Sequence, residues 1–358
     1  MKLPNVELRG LIALLTLAAS ICAPSTTLAD EKPTRLASLL ETHVLKLTGT
    51  EHPRSYMHLE SLSAAADYIE AELKKAGITT KRQEYEAFGK TFRNILCRIE
   101  TGSPKTVVLG AHYDVCGPGP GADDNASGVA GLIELARILQ LNKEQLKYNV
   151  EIIAFTNEEP PFFRTKDMGS YIHAQSLRNR KQTIEYVVVL EMIGFYSDEA
   201  ESQTYPIPSM RKIYPSSGNF VAVVGNDHSA DAVASIKQAI QKNTNVDCQS
   251  LIAPPSLKGM DFSDHLNYWA LGMKAVMITD TAFYRNKNYH QQTDKPTTLD
   301  YNKMAEVVKG LAASFYKTPP VSKTRILKVT PERIESGGNE KPITYGLNKY
   351  GNTVSLRH

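Results

Sequence analysis

Apolar residues recur along this chain at two periods, and the alternation of those periods marks its elements. Over residues 61–76, Leu62, Ala65, Ile69, Leu73 and Ala76 fall on one face and the pattern stops at Gly77, which predicts an amphipathic helix closed by a glycine cap. Alternating or apolar runs at 80–88, 91–99 and 105–111 predict three successive strands. Helix and strand then alternate: helix 126–140, strand 149–156, helix 168–178, strands 184–191 and 219–225, helix 229–242, strand 274–279 and helix 300–316. Such alternation predicts an α/β fold, a three-layer α/β/α sandwich with a central, mostly parallel sheet. The opening run of strands adds an antiparallel edge, so the sheet is expected to be mixed.

The two ends fall outside this pattern. Lys2 and Arg9 flank the start of an apolar run from Leu11 to Ala23, and the small residues Thr27 and Ala29 stand just before Asp30, the pattern of a cleaved leader over residues 1–29. The run is about 13 residues, short of the roughly 20 needed to span a bilayer, and no later stretch is longer and as apolar. Ile21 precedes Cys22 where a lipid-attachment signal wants a small residue. The chain is therefore expected to be exported, periplasmic or secreted, with no stable membrane anchor. One main domain is expected over 30–318. From Pro319 the sequence turns polar, with short apolar pieces at 326–329 and 343–347, which predicts a tail or small appendage over 319–358.

Composition narrows the class of function. A chain of 358 residues with 41 Lys and Arg against 38 Asp and Glu carries a net charge of only +3, without the basic excess of a nucleic-acid binder. Loss of the leader also removes Cys22 and leaves Cys97, Cys116 and Cys248. At most one disulfide can then form within the chain, and the absence of CxxC spacing argues against a thiolate zinc site.

The candidate chemistry sits where strands end. The strand through Val107, Val108 and Leu109 delivers His112-Tyr113-Asp114, and a Gly/Pro loop leads from there into Gly121-Ala-Asp-Asp-Asn-Ala-Ser-Gly128. The strand from Val150 ends in Asn157-Glu158-Glu159, and the one through Val187 to Leu190 ends in Glu191. In open α/β sheets the ligand crevice lies beyond the carboxyl ends of the strands. Buried carboxylates at close quarters need cations to neutralise them. Asp, Glu and His without thiolates suit zinc or a similar divalent ion. Adjacent residues at a strand end point in different directions, so one of Glu158 and Glu159 can bind metal while the other exchanges a proton.

Together with Ser263-Asp264-His265, and with Tyr289-His290 before Asp294, these motifs resemble the co-catalytic zinc exopeptidases of metallopeptidase family twenty-eight. The resemblance covers roughly residues 55 to 316. That family contains bacterial leucyl aminopeptidases, glutamate carboxypeptidases and glutaminyl cyclases. The resemblance implies a zinc-exopeptidase fold and two zinc ions, one bound by His112 and Glu191 and the other by Glu159 and His290, with Asp124 bridging them. It further implies that Asp114 accepts the other ring N–H of His112 and that Glu158 is the general base, passing a proton from the attacking water to the leaving amine. Position 191 departs from the family, being aspartate in many of the best-known aminopeptidases and glutamate here. His265 is the other candidate for the last histidine ligand, and the resemblance assigns it to the pocket instead.

The expected activity is removal of N-terminal residues from peptide substrates. Carboxypeptidase, dipeptidase or amidase action on the same centre, a single-zinc glutaminyl cyclase and a non-catalytic binding protein are the alternatives; oligomeric state is left open. Asp264, Asp294 and Asn125 are candidate supporting groups, and His173 reads as a structural histidine within a helix. Pro160-Pro-Phe-Phe-Arg164 is expected to wall the pocket or to pack under its loop, and 196–214 to cover the cleft or simply connect. Cys116, four residues after His112, is expected to be inert, with a stray metal contact as the alternative.

Overall fold

The computed structural model describes residues 34–178 and 183–317, together with two backbone strands at 344–347 and 354–357. The leader expected over 1–29 and most of the tail lie outside the described residues. Helix α1 (Arg35–Thr48) starts at Thr34, whose side-chain oxygen accepts the Ala37 N–H at 3.2 Å, so a lone backbone donor of the first turn is satisfied. It buries Leu40, Val44 and Leu47 and was not expected from the sequence. Helix α2 (Leu59–Lys75) follows, then strands β1 (Thr80–Ala87), β2 (Lys90–Ile99) and β3 (Lys105–His112), helix α3 (Gly128–Leu141) and strand β4 (Asn149–Phe155). Helix α4 (Gly169–Arg178), strands β5 (Thr183–Leu190) and β6 (Phe220–Gly225), helix α5 (Ala230–Asn243) and strand β7 (Asp247–Ile252) come next. Helix α6 (His265–Trp269), strand β8 (Ala275–Thr279) and helix α7 (Tyr301–Ser314) complete the main body.

Every strand and helix expected after residue 60 is present within a few residues. Two short elements of the main body, β7 and α6, were not expected, nor were the strands at 344–347 and 354–357. In β7 only alternate residues are buried, Cys248, Ser250 and Ile252, a polar edge-like pattern too weak to stand out. α6 has five residues, fewer than a helical period needs to show itself.

The sheet order is β1-β2-β4-β3-β5-β8-β6-β7-β10-β9, where β9 (Thr344–Leu347) and β10 (Val354–Arg357) form an antiparallel pair that adds to β7. Part of the expected appendage therefore extends the sheet. Pairings of β3 with β4 and β5, of β5 with β8 and of β6 with β7 are parallel. The β1-β2-β4 edge and the β6–β8 pair are antiparallel, so the sheet is mixed and mostly parallel in its middle.

Central strands bury both faces. Val107, Leu109 and Ala111 of β3 pack into the layer with α1, α2, α3, α5 and α7, while Val108 packs into the opposite layer with α4 and α6. Period-two alternation thus sends successive side chains of one strand into two separate cores, giving the α/β/α sandwich. Each such wholly buried Val or Leu contributes about 1.5–3 kcal/mol. Cys97 and Cys248 are buried and Cys116 is half-buried, and among the described residues all three are free thiols. No helix of the described residues is long and apolar enough to cross a membrane.

Candidate metal centre

Parallel neighbours end on the same edge of the sheet, so β4, β3 and β5, adjacent in that order, present their terminal residues side by side. His112 is the last residue of β3, Glu158 and Glu159 follow β4, and Glu191 follows β5. Asp124 comes from the helical turn Ala122–Ser127 that leads into α3, and His290 from the loop after β8. Gly121 before that turn has φ +60°, and a Cβ there would lie 2.3 Å from the Asp124 carbonyl oxygen; only glycine permits this approach. Asn157, Met192 and His290 also take left-handed φ of 59°, 51° and 59°, a conformation non-glycine residues adopt mainly where surrounding structure holds them.

Asp124 lies at the middle of the cluster. Its Oδ1 is 3.4 Å from His112 Nε2 and its Oδ2 is 3.1 Å from His290 Nε2. Glu191 Oε2 is 3.2 Å from His112 Nε2, and Glu159 Oε2 is 3.3 Å from His290 Nε2. Two histidine–glutamate pairs therefore flank the two oxygens of one aspartate. Glu158 stands to one side, its Oε2 4.0 Å from His112 Nε2. His265 is elsewhere: its Nε2 donates to the Met260 carbonyl at 2.7 Å and its ring stands edge-on to Trp269.

Further groups hold these side chains in place. Asp114 accepts the backbone N–H groups of Glu158 and Glu159 at 3.1 and 3.0 Å. Asp294 accepts those of Asp123 and Asp124 at 2.9 and 3.0 Å. The two aspartates thus act alike, each clamping one pair of acidic residues by its main chain. The His112 Nδ1 lies 3.2 Å from the Asp114 main-chain oxygen and 3.6 Å from its carboxylate. The imidazole thus bonds to the Asp114 carbonyl, with the carboxylate slightly beyond hydrogen-bond distance. Asn125 links the turn to β5, donating to the Leu190 carbonyl at 2.9 Å and accepting the Met192 N–H at 3.0 Å. Ser263 Oγ donates to Glu191 Oε2 at 2.7 Å. Asp123, whose oxygens accept from Gly194 N–H and Asn286 Nδ2 at 3.0 and 2.7 Å, and Ser263 stand in the sequence only as members of motifs, without a role of their own.

Burial dominates the electrostatics. It pushes the Glu158 carboxyl well above the ordinary carboxylate range, with Glu159, Glu191 and Asp264 adding to the effect against the opposing pull of His112. Burial and the neighbouring Asp124 raise Glu159 to about 8. Burial acts on Asp124 in the same sense, yet the imidazoles of His112 and His290 outweigh it and hold that carboxyl low. His112 Nε2, His290 Nε2 and Glu159 Oε1 are buried and make no hydrogen bond. Orphaned nitrogen and oxygen donors of this kind are costly. Imidazole nitrogen with carboxylate oxygen is a zinc donor set, and three carboxylates offset dications, so the residues present fit the ion.

An apolar hollow opens beside Glu191, lined among others by Tyr205, Met210, Phe220, Met260, Phe262 and Phe283. The segment 196–214 thus supplies pocket wall, its Tyr205 and Tyr214 rings stacked 5.7 Å apart. In the loop after Glu159 the two aromatics divide: Phe162 is buried against Tyr56, Phe88 and Phe92, whereas Phe163 meets Phe262 of the hollow. His173 is a buried structural histidine, bonded to Glu151 and Tyr268 at 2.7 Å each.

Residues 94–315 match the family model described as Peptidase family M28. The uncharacterized protein YfbL of Escherichia coli (strain K12) is 42% identical over 287 residues, which cover 78% of this chain and 87% of that one. Leucine aminopeptidase 1 of Grosmannia clavigera is 23% identical over 88% of this chain and 78% of its own length. Among solved structures, a Zn-dependent exopeptidase from Parabacteroides distasonis matches with a TM-score of 0.57 at 21% identity, over 79% of this chain and 98% of that one. A glutaminyl cyclase of Bacteroides thetaiotaomicron, bound to N-acetylhistamine, matches with a TM-score of 0.59 at 18% identity, over 80% of this chain and all of that one. Both structures share the fold.

Proposed function

The chain belongs to peptidase family M28 and is a zinc-dependent peptidase, and from that premise we propose that it is an exported aminopeptidase with a two-zinc centre. In this reading His112 and Glu191 hold one ion, Glu159 and His290 the other, and Asp124 serves both. The observation that carries it is the division of the cluster about Asp124, with one histidine–glutamate pair on each carboxylate oxygen. A carboxylate between two dications offsets their mutual repulsion.

Bound zinc supplies Lewis acidity, polarising the scissile carbonyl and acidifying water. The remaining work falls to the chain. Glu158 Oε2 takes the proton from the attacking water and returns it to the leaving amine. Asp114 keeps Glu158 and Glu159 at fixed orientation through their backbone N–H groups. The apolar hollow beside Glu191 receives the first side chain and keeps water from it. Its aromatic and methionine lining favours large apolar N-terminal residues.

Mass spectrometry of free and N-acetylated peptides incubated with the protein, with and without chelator, tests the reading. Chelator-sensitive trimming of free amino ends alone is expected. Trimming of blocked peptides from the carboxyl end would replace it with a carboxypeptidase, loss of ammonia from N-terminal glutamine with a cyclase, and no change under any metal with a binding protein. Export is tested separately, by finding Asp30 at the amino terminus of protein recovered outside the cytoplasm.

A further inference from the structure

One donor at the centre is left idle by this assignment. Cys116 stands in the loop between the end of β3 and Gly121, half-buried and with a free thiol. Its Sγ, a carboxylate oxygen of Glu159 and a ring nitrogen of His290 all lie within 4.8 Å of one another. One zinc bonded at roughly 2.0–2.3 Å holds tetrahedral donors about 3.3–3.8 Å apart, so small side-chain shifts close these three around a single ion. A second observation falls on the same residues. Glu159 Oε1, in a side chain 5% exposed, is buried without a hydrogen-bond partner, and so is His290 Nε2. The loops bearing Cys116 and His290 are also in direct backbone contact, since a Cβ at Gly119 would lie 2.4 Å from the Gln291 carbonyl oxygen.

We propose that Cys116 is a thiolate ligand of the zinc held by Glu159 and His290, so that the two positions of the centre differ in donor chemistry. The inference rests on the metal centre proposed above. As the sulfur–metal bond forms, the thiol proton passes to solvent. Asp124, Glu159, His290 and Cys116 would then offer four donors to one ion, and His112, Asp124 and Glu191 three to the other. A sulfur donor would also make the position at Glu159 and His290 select zinc over magnesium or manganese.

Cobalt(II) loaded into the metal-free full chain tests this, because a thiolate–cobalt bond gives a strong near-ultraviolet charge-transfer band that nitrogen and oxygen ligands lack. The band is expected on loading, is expected to vanish in Cys116→Ser, and is expected to survive in Cys97→Ser and Cys248→Ser. Cys116→Ser should also weaken binding of one ion by at least about tenfold, the least that even ligand-supporting groups cost. Bound cobalt without the band, or a band that survives Cys116→Ser, overturns the inference and leaves the metal centre standing. Absence of bound cobalt overturns both. Should Cys116→Ser fail to fold, iodoacetamide labelling of the unmodified chain decides: zinc is expected to protect Cys116, and equal labelling with and without zinc refutes its ligation.

Discussion

Replacing Arg54 should unseat the metal centre from a distance. This side chain is 1% exposed, and its guanidinium spends four hydrogen bonds on main-chain oxygens. Nε donates to the Tyr113 carbonyl at 3.0 Å, Nη1 to those of Leu47 and Pro120 at 2.9 and 2.7 Å, and Nη2 to that of Gly121 at 2.9 Å. One planar group therefore ties the C-terminal end of α1 to both ends of the loop between His112 and Asp124. Burial pulls its pKa down to about 10, with Asp294, Asp114 and Asp124 working against that fall, so it is charged at neutral pH. Hydrogen bonds from a charged donor contribute about 1.5–3 kcal/mol each, but most of that gross value offsets the desolvation of the cation. Removing one member of such a buried charged arrangement costs about 3–5 kcal/mol. At about 2–4 °C per kcal/mol for domains of 150–250 residues, Arg54→Met should melt roughly 6–20 °C below the parent. Arg54→Lys should recover only part of the loss, since an ammonium cannot fork to four oxygens. Urea and thermal unfolding of the zinc-loaded proteins measure both. An Arg54→Met variant within about 1 kcal/mol of the parent would refute the reasoning.

Other consequences are separable. Glu158→Gln should retain the metal content and lose about 10²–10⁴-fold in turnover, read by elemental analysis and peptide hydrolysis; near-normal turnover would remove Glu158 from the proton path. His290→Ala should bind one ion fewer per chain while His265→Ala binds the full complement, and the opposite pattern would exchange their assignments. Glu70 on α2 is held down to about 2 by the Lys74 ammonium, with Arg82 and Thr80 helping against burial. Its folded pKa lies below the unfolded value near 4.5, so its stabilisation is present above pH 4.5 and is lost as pH falls toward 2. The melting difference between parent and Glu70→Gln should therefore shrink across that window; a difference equal at pH 5 and pH 2 would reject the mechanism.

The sequence by itself determined the elements whose pattern repeats often enough to be read locally. Leu62, Ala65, Ile69 and Leu73 mark α2, and the apolar runs of β3, β4 and β5 mark strands buried on both faces, because side-chain period follows from backbone geometry alone. Helix α1 carries the same kind of pattern, with Thr34 as cap and Leu40, Val44 and Leu47 on one stripe. The acidic residues and His112 were visible as candidates because they punctuate strand ends. What only the tertiary structure decided is which of them meet. Strand order puts β3 between β4 and β5 and so brings Glu159 and Glu191 to either side of His112. Loop packing brings His290 rather than His265 to Asp124, and Gly119 against Gln291 brings Cys116 beside both Glu159 and His290. The clamps made by Asp114 and Asp294, and the carbonyls gathered by Arg54, are likewise invisible in a linear pattern. Hydrophobic burial is non-directional, so a local pattern says which face goes inward but not which distant segment will be found there.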